Sequence, residues 1–352
     1  MRRLPVYFLV DVSESMVGEP IAQVEEGMRT IIQELRTDPY ALETVFVGIL
    51  AFAGKPHMLS PLTELYKFYP PAFPIGGGTA LGEALRTLMR EMDASVQKTT
   101  METKGDWKPL VFLFTDGVPT DRPEAAIKEW TAKYRKQCNL VAISLGDNAD
   151  LHLLQQLTDN VLRLNSTTPE SFKQFFKWVT ASIKTTSVSV VDAGKDEVQL
   201  APTGGIDLEK VEAAPSGKVD ENFVVLLAKC SSTRKPYLIK YAQRLSGEEW
   251  CARWEGMPTG EGIFKLVGAY PINEEMYEKL SESSAPRQNI CTDQLFGHPA
   301  CPCCGSQISV VLCSTCGSIS CAGEKSLHTC PWCGTSGDLG SANTLNLTRQ
   351  RG

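Results

Sequence analysis

Long apolar runs are missing from this chain. No stretch of its 352 residues is apolar over the roughly 20 positions that a helix needs to cross a bilayer, so a helical membrane span is not expected. The opening Met1-Arg2-Arg3-Leu4-Pro5 is basic. The apolar segment behind it ends at Asp11 with no small-residue cleavage site, which argues against a secretory leader. Positive charge is not in excess: the net charge is −6, which gives no bulk attraction to nucleic acid or to an anionic membrane. The run Gly76-Gly77-Gly78 lacks the lysine and the spacing of a phosphate loop. The glycine loop, H-R-D and D-F-G set of a kinase is also missing. Internal repeats are not evident. What is present is 42% apolar and 22% charged residues, an ordinary soluble composition, on a chain long enough for two or three domains.

Residues 1 to about 187 alternate apolar runs with amphipathic stretches. Val6–Val10, Val45–Phe52, Leu110–Phe114 and Leu140–Leu145 read as strands. Residues 20–36, the segment from Leu81 to Met92, Pro123–Cys138 and Pro169–Ile183 read as helices. Strands that are apolar throughout are buried on both faces, so the alternation predicts an α/β fold, a doubly wound and mostly parallel sheet. Residues 188–286 are β-rich, at Val188–Val191, Phe223–Ala228, Tyr237–Tyr241 and Phe264–Ala269, and read as a small module or structured linker. Residues 287–336 form a cysteine-rich unit. Residues 337–352 are polar and are expected to be disordered.

Five oxygen-bearing side chains stand out in the first segment. Asp11, Ser13 and Ser15 follow the first strand as D-x-S-x-S. Thr79 follows the glycine run, and Asp116 follows the strand Leu110–Phe114 in Thr115-Asp116-Gly117. In a parallel α/β sheet, ligands bind at the carboxyl ends of strands, where Asp11 and Asp116 fall. Brought together, such oxygens suit Mg²⁺ or Mn²⁺. Three neutral hydroxyls leave the ion under-neutralised, so an open position should attract an acidic residue of a partner protein. A hydrolase would need a base in reach. The nearest histidine in sequence is His57, and the nearest other carboxylates, Glu14 and Asp121, read as a solvated rim. The constellation resembles the metal-ion-dependent adhesion site of the von Willebrand factor A domain. The resemblance implies direct metal binding by the hydroxyls of Ser13, Ser15 and Thr79. It implies that Asp11 and Asp116 bind directly or through water.

Nine of the twelve cysteines lie between Cys291 and Cys333, several paired as C-x-x-C. Without a secretory signal, that spacing favours zinc over disulfides and a reducing cytoplasm. Cys301, Cys304, Cys313, Cys316, Cys321, His328, Cys330 and Cys333 make eight ligands, enough for two structural tetrahedral zincs. An extended Gly317–Ser320 carries the chain roughly 13 Å, too far for one zinc. That favours a cross-brace: Cys301, Cys304, Cys321 and His328 on one ion, Cys313, Cys316, Cys330 and Cys333 on the other. A nested pairing of outer and inner fours is the alternative. Cys303 is left over, as a substitute for Cys304 or a free thiol. Cys138, Cys230 and Cys251 read as core or surface residues. Cys291 and His298 are weaker candidates.

The D-x-S-x-S, Thr79, Thr115-Asp116-Gly117 and His328-x-Cys330-Pro331-Trp332-Cys333-Gly334 motifs, in this order, resemble the TerY family of bacterial tellurite-resistance and stress-response systems. The resemblance implies a non-enzymatic cytoplasmic scaffold beside a protein kinase and a metal-dependent phosphatase. The tail from Arg287 holds four basic and three acidic residues with no basic patch, which points to protein rather than nucleic acid as partner. Two other readings are a subunit of a nucleic-acid-handling complex and a metal-dependent hydrolase.

Overall fold

The computed structural model describes residues 2–100, 102, 104–145, 149–164, 169–193, 201, 208–210, 223–243, 262–281, 288–323, 327–340 and 345–350. The chain divides into two units. The first is Met1–Val12, Glu19–Phe73 and Thr79–Lys218; the second is Ser13–Gly18, Pro74–Gly78 and Val219–Gly352.

The first unit is built on seven strands: β1 (Leu4–Asp11), β2 (Val45–Phe52), β3 (Pro56–Glu64), β4 (Leu110–Thr115), β5 (Asn139–Leu145), β6 (Val161–Leu164) and β7 (Leu208–Lys210). Their order is β3-β2-β1-β4-β5-β6-β7. The five inner strands are parallel, and the edge strands β3 and β7 run antiparallel. Every residue of β1 and of β4 is buried, as their continuous apolar sequence requires. From β1 the chain continues to β2 on one side, and from β4 to β5 on the other. The β1–β4 boundary is therefore the switch point of the sheet, where the connecting loops diverge and leave a crevice.

Helices α1 (Glu19–Leu35), α2 (Pro39–Thr44), α3 (Leu81–Ser95), α4 (Glu124–Glu129), α5 (Leu151–Leu157) and α6 (Pro169–Ala193) flank these strands. Helix α1 buries Val24, Met28, Ile31, Ile32 and Leu35, the stripe expected from its spacing. On one face Phe8, Phe112 and Phe114 stack, and Phe175 and Phe176 of α6 meet Phe114 edge-on at 5.7 and 6.1 Å. Each such ring contributes about 1.5–3 kcal/mol by leaving water. Gly27 lets α1 approach that layer, since a Cβ there would lie 1.9 Å from the Phe176 ring. On the other face Tyr7, Leu9, Val111 and Leu113 pack with Leu85, Leu88 and Trp130.

Two elements differ from expectation here. Helix α6 runs on to Ala193 and takes in Val188–Val191, an alternation too short to separate itself from the helix it extends. The expected helix Pro123–Cys138 is α4 followed by a π-helical stretch, Trp130–Tyr134.

In the second unit, β8 (Phe223–Lys229), β9 (Pro236–Ala242) and β10 (Phe264–Pro271) form one sheet with β12 (Leu295–Phe296), β13 (Val311–Leu312) and β14 (Ile319–Ser320). The order is β12-β10-β9-β8-β14-β13. Helix α7 (Glu274–Leu280) follows β10. The boundary expected at 286/287 therefore runs through a sheet. One core joins Val224, Leu226, Tyr237 and Ile239 to Cys301, Ile319, Cys321 and Leu347. The cysteine-rich strands line both edges of the three-stranded β10-β9-β8 meander, with β12 beside β10 and β14 beside β8. The tail expected to be disordered also holds structure. Strand β15 (Leu327–Thr329) pairs with β16 (Ser336–Asp338), and β11 (Gln288–Cys291) pairs with β17 (Asn346–Arg349). Leu347 is fully buried in the shared core. One apolar side chain and a backbone ladder suffice to order a polar segment.

Candidate metal centres

At the switch point of the first unit, Asp11 ends β1 and is fully buried. Beside it in the register, the Thr115 hydroxyl donates to Asp11 Oδ2 at 2.7 Å. Asp116 follows directly. The loop after β4 is laced to the one before α3: the Thr79 amide donates to the Thr120 hydroxyl at 2.9 Å, and the Thr120 amide to the Thr79 carbonyl at 2.8 Å. Ala80 N–H reaches the Ala53 carbonyl beyond β2. Thr79 Oγ1 is buried and has no hydrogen-bond partner. An orphaned buried hydroxyl costs about 1–3 kcal/mol unless something accepts its lone pair, and a bound cation does so.

Asp121 is partly buried rather than a solvated rim. Its Oδ2 accepts from the Glu83 amide at 3.1 Å, capping the start of α3 where Ala80 offers no side-chain acceptor. Burial raises its carboxyl above the ordinary range, against the opposing hydrogen bonds from Gly82 and Glu83. Asp121→Ala is expected to lower the stability of the first unit by about 1 kcal/mol, as loss of a helix cap does. A urea melt followed by far-UV circular dichroism would read it, and an unchanged midpoint would refute the cap.

In the second unit, Ser13 and Ser15 lie side by side, their hydroxyl oxygens 3.0 Å apart and both buried. Ser13 precedes and Ser15 lies within a single 3₁₀ turn, Glu14–Met16. Glu14 is 0% exposed, which overturns its reading as a rim residue. Its carboxylate accepts from the Tyr277 hydroxyl, a partner 263 residues away that sequence spacing cannot reveal. Burial pushes the Glu14 carboxyl up to about 8, despite the hydrogen bonds from Tyr277 and from the Gly78 backbone.

The cysteines resolve into two sets of four. The sulfurs of Cys313, Cys316, Cys330 and Cys333 all lie within 4.8 Å of one another, and so do those of Cys230, Cys301, Cys304 and Cys321. Individual separations are 3.7 Å for Cys313–Cys333, 3.8 Å for Cys316–Cys330, 3.7 Å for Cys304–Cys321 and 3.9 Å for Cys230–Cys321. A tetrahedron with zinc–sulfur bonds of about 2.3 Å has edges of about 3.8 Å, so both sets fit zinc. The nested pairing does not form. His328 stands outside: its Nε2 lies 3.0 Å from the Ser320 hydroxyl, and Cys230 occupies the fourth corner. Cys303 is also outside both sets, and Cys251 lies outside the described residues.

Backbone geometry explains why Cys230 belongs. In three C-x-x-C-G turns the first cysteine's amide donates five residues on, and its carbonyl accepts from the glycine. The pairs are Cys301 with Ser306 and Gly305, Cys313 with Ser318 and Gly317, and Cys330 with Thr335 and Gly334. Cys230 does the same with Lys235 and Arg234, at 2.9 Å each. Arg234, at φ 59°, is the one non-glycine residue of positive φ among the described residues, and it stands where the other turns have glycine. Cys230-Ser231-Ser232-Thr233-Arg234 is thus a fourth knuckle, with Thr233 where the second cysteine belongs. Cys321 supplies the missing sulfur and accepts from the Ser231 amide at 3.3 Å. Lacking both C-x-x-C and the glycine, this knuckle leaves no spacing signal. Burial opposes ionisation of Cys230, but hydrogen bonds from Thr233 and the Ser232 backbone outweigh it and bring the thiol down to about 7. The thiol of Cys333 falls to about 6, chiefly through hydrogen bonding to Thr335. Both shifts favour the thiolate, while burial pushes up the thiols of Cys301 and Cys304 in the same set as Cys230, and of Cys330 in the set of Cys333.

A model of the von Willebrand factor type A domain family matches residues 6–181, and one of the TerY-C metal binding domain matches residues 220–352. The latter spans the β-rich and cysteine-rich segments together. The chain is 25% identical over 159 residues to human inter-alpha-trypsin inhibitor heavy chain H6, across 44% of this chain and 12% of that protein. It thus spans only a small part of that relative's length. Among solved structures it is similar to a von Willebrand factor type A protein from Catenulispora acidiphila, at 13% identity, 81% coverage of this chain, 70% of the other and TM-score 0.41. It is also similar to the pilus adhesin SpaC of Lactobacillus rhamnosus GG, at 15% identity, 52% and 31% coverage and TM-score 0.43.

Proposed function

From a chain that belongs to the von Willebrand factor type A domain family and ends in a TerY-C metal binding domain, we propose a non-enzymatic adaptor that grips partner proteins through a divalent metal. Asp11, Ser13, Ser15, Thr79 and Asp116 hold Mg²⁺ or Mn²⁺, and an acidic residue of a partner completes the shell. The observation that carries this reading is Thr79 Oγ1, a buried hydroxyl with no hydrogen-bond partner in a loop laced to that of Asp116. All five side chains offer hard oxygen, which suits these ions and not soft ones. Each of the two extra carboxyl groups has one oxygen engaged, Glu14 with Tyr277 and Asp121 with the Glu83 amide, and its other oxygen buried without a hydrogen-bond partner.

The TerY-C domain supports placement in a tellurite-resistance or stress-response system, in the cytoplasm, with a protein kinase and a metal-dependent phosphatase as partners. Cys230, Cys301, Cys304 and Cys321 hold one structural zinc, and Cys313, Cys316, Cys330 and Cys333 the other. Neither set keeps the open position of a catalytic zinc.

The metal reading is tested by Mn²⁺ titration of the full chain. Asp116→Ala is expected to lose Mn²⁺ binding while its zinc content stays at that of the unaltered protein. Equal Mn²⁺ affinity in both would overturn the site. A kinase or phosphatase partner retained equally by the unaltered chain and by Asp11→Ala would overturn the metal bridge.

A further inference from the structure

We propose that Lys240, Tyr277 and Ser281, all from the TerY-C portion of the chain, are positioning residues of the oxygen site: they hold the two loops that carry its hydroxyls. The inference rests on the adhesion-site reading above and deepens it. Ser13 and Ser15 lie in the segment Ser13–Gly18, and Thr79 directly follows the segment Pro74–Gly78. Both segments belong to the second unit. Within that unit they are fastened by side chains from far along the sequence.

The Lys240 ammonium, on β9, donates to the carbonyls of Ser15 and Val17, and the Phe223 ring lies 4.6 Å beneath it. Lys240 is only 3% exposed. A buried ammonium is costly to desolvate, and here carbonyl oxygens and a ring face compensate it. An apolar side chain would fill the same place at no such cost but could not fix the carbonyl of a serine that binds metal. From α7 the Tyr277 hydroxyl donates to Glu14, between the two serines. Glu14 also accepts from the Gly78 backbone, which joins the two segments. The Ser281 hydroxyl accepts from the Gly77 amide at 2.7 Å. Gly77 is required at the centre: a Cβ would come within 2.9 Å of Glu14 Oε1, 3.1 Å of Ser281 Oγ and 3.2 Å of Tyr277 Oη. The hydroxyl loops are thus seated against a polar cradle made by β9, α7 and the residue after it.

Such outer groups help to orient ligands; a serine hydroxyl on a short loop is placed only as well as its backbone is held. The consequence is that the affinity of the oxygen site is set partly by the TerY-C domain, so that whatever displaces β9 or α7 would weaken the metal's grip.

Mn²⁺ titration and zinc analysis of the full chain test this with Lys240→Met and Tyr277→Phe. Both are expected to weaken Mn²⁺ by roughly 10- to 100-fold, the range seen when outer-shell partners are removed, with zinc content unchanged. Tyr277→Phe deletes one oxygen and keeps the packing, so it carries the test if Lys240→Met fails to fold. Mn²⁺ affinity unchanged in Tyr277→Phe, while Asp116→Ala loses binding, would overturn the positioning role and leave the metal site standing. Mn²⁺ failing to bind the unaltered chain would overturn the site and the positioning role together.

Discussion

Stripping zinc in the presence of excess Mg²⁺ is expected to unfold the second unit and leave the seven-stranded sheet of the first intact. The reason is where the cysteines sit. Cys230, Cys301 and Cys321 belong to the same buried core as Val224, Tyr237 and Ile319. The strands they join are short, two residues each for β12, β13 and β14. Strands of that length hold no sheet by themselves. Structural zinc in small domains supplies about 10–16 kcal/mol at neutral pH, comparable to the roughly 5–15 kcal/mol of a whole folded domain. Without metal, several thiols would also be left buried beside one another with no compensation. By contrast the first unit keeps its aromatic layer and fully buried inner strands whatever the state of the zinc. Hydrogen exchange after treatment with a zinc-selective chelator reads the difference: amides of β8 and β9 should lose protection, and those of β1 and β4 should keep it. Retained protection in β8 and β9 would mean that the cysteines are not structural.

Cys321→Ser is expected to cost one of the two zinc ions, and adding Thr233→Cys is expected to restore it. Thr233 occupies the place that the second cysteine holds in the other three knuckles, and its amide already lies 3.3 Å from Cys230 Sγ. A thiol at 233 would point where Cys304, Cys316 and Cys333 point in theirs, so it could fill the corner that Cys321 vacates. His328→Ala is the control. Its imidazole faces Ser320 and not the sulfur cluster, so both ions should remain. Zinc analysis of the purified variants decides the matter. Loss of an ion in His328→Ala but not in Cys230→Ser would show that the histidine, and not Cys230, is the fourth ligand.

How far the sequence could be read depended on the range of each interaction. The inner strands of the first unit were legible because burial on both faces writes itself into consecutive residues. Helix α1 was legible because its stripe repeats within a few turns. The four-sulfur cluster of Cys313, Cys316, Cys330 and Cys333 was legible because each half is a local C-x-x-C turn. The tail strand β17 was not, since its order comes from pairing with β11 across the intervening cysteines. Nor was Glu14, whose neighbours in sequence look solvent-facing while its actual partner is Tyr277.

By itself, then, the sequence determined the α/β alternation, the oxygen-bearing motifs and a cysteine content suited to zinc, because each is encoded in residues a few positions apart. Only the tertiary structure decided that Cys230, and not His328, clusters with Cys301, Cys304 and Cys321, that the β-rich and cysteine-rich segments share one sheet, and that Lys240, Tyr277 and Ser281 seat the hydroxyl loops. Those outcomes depend on surfaces meeting across separations from 31 residues, Phe264 with Leu295, up to 263, Glu14 with Tyr277, where burial and hydrogen-bond complementarity select partners that no local spacing can name.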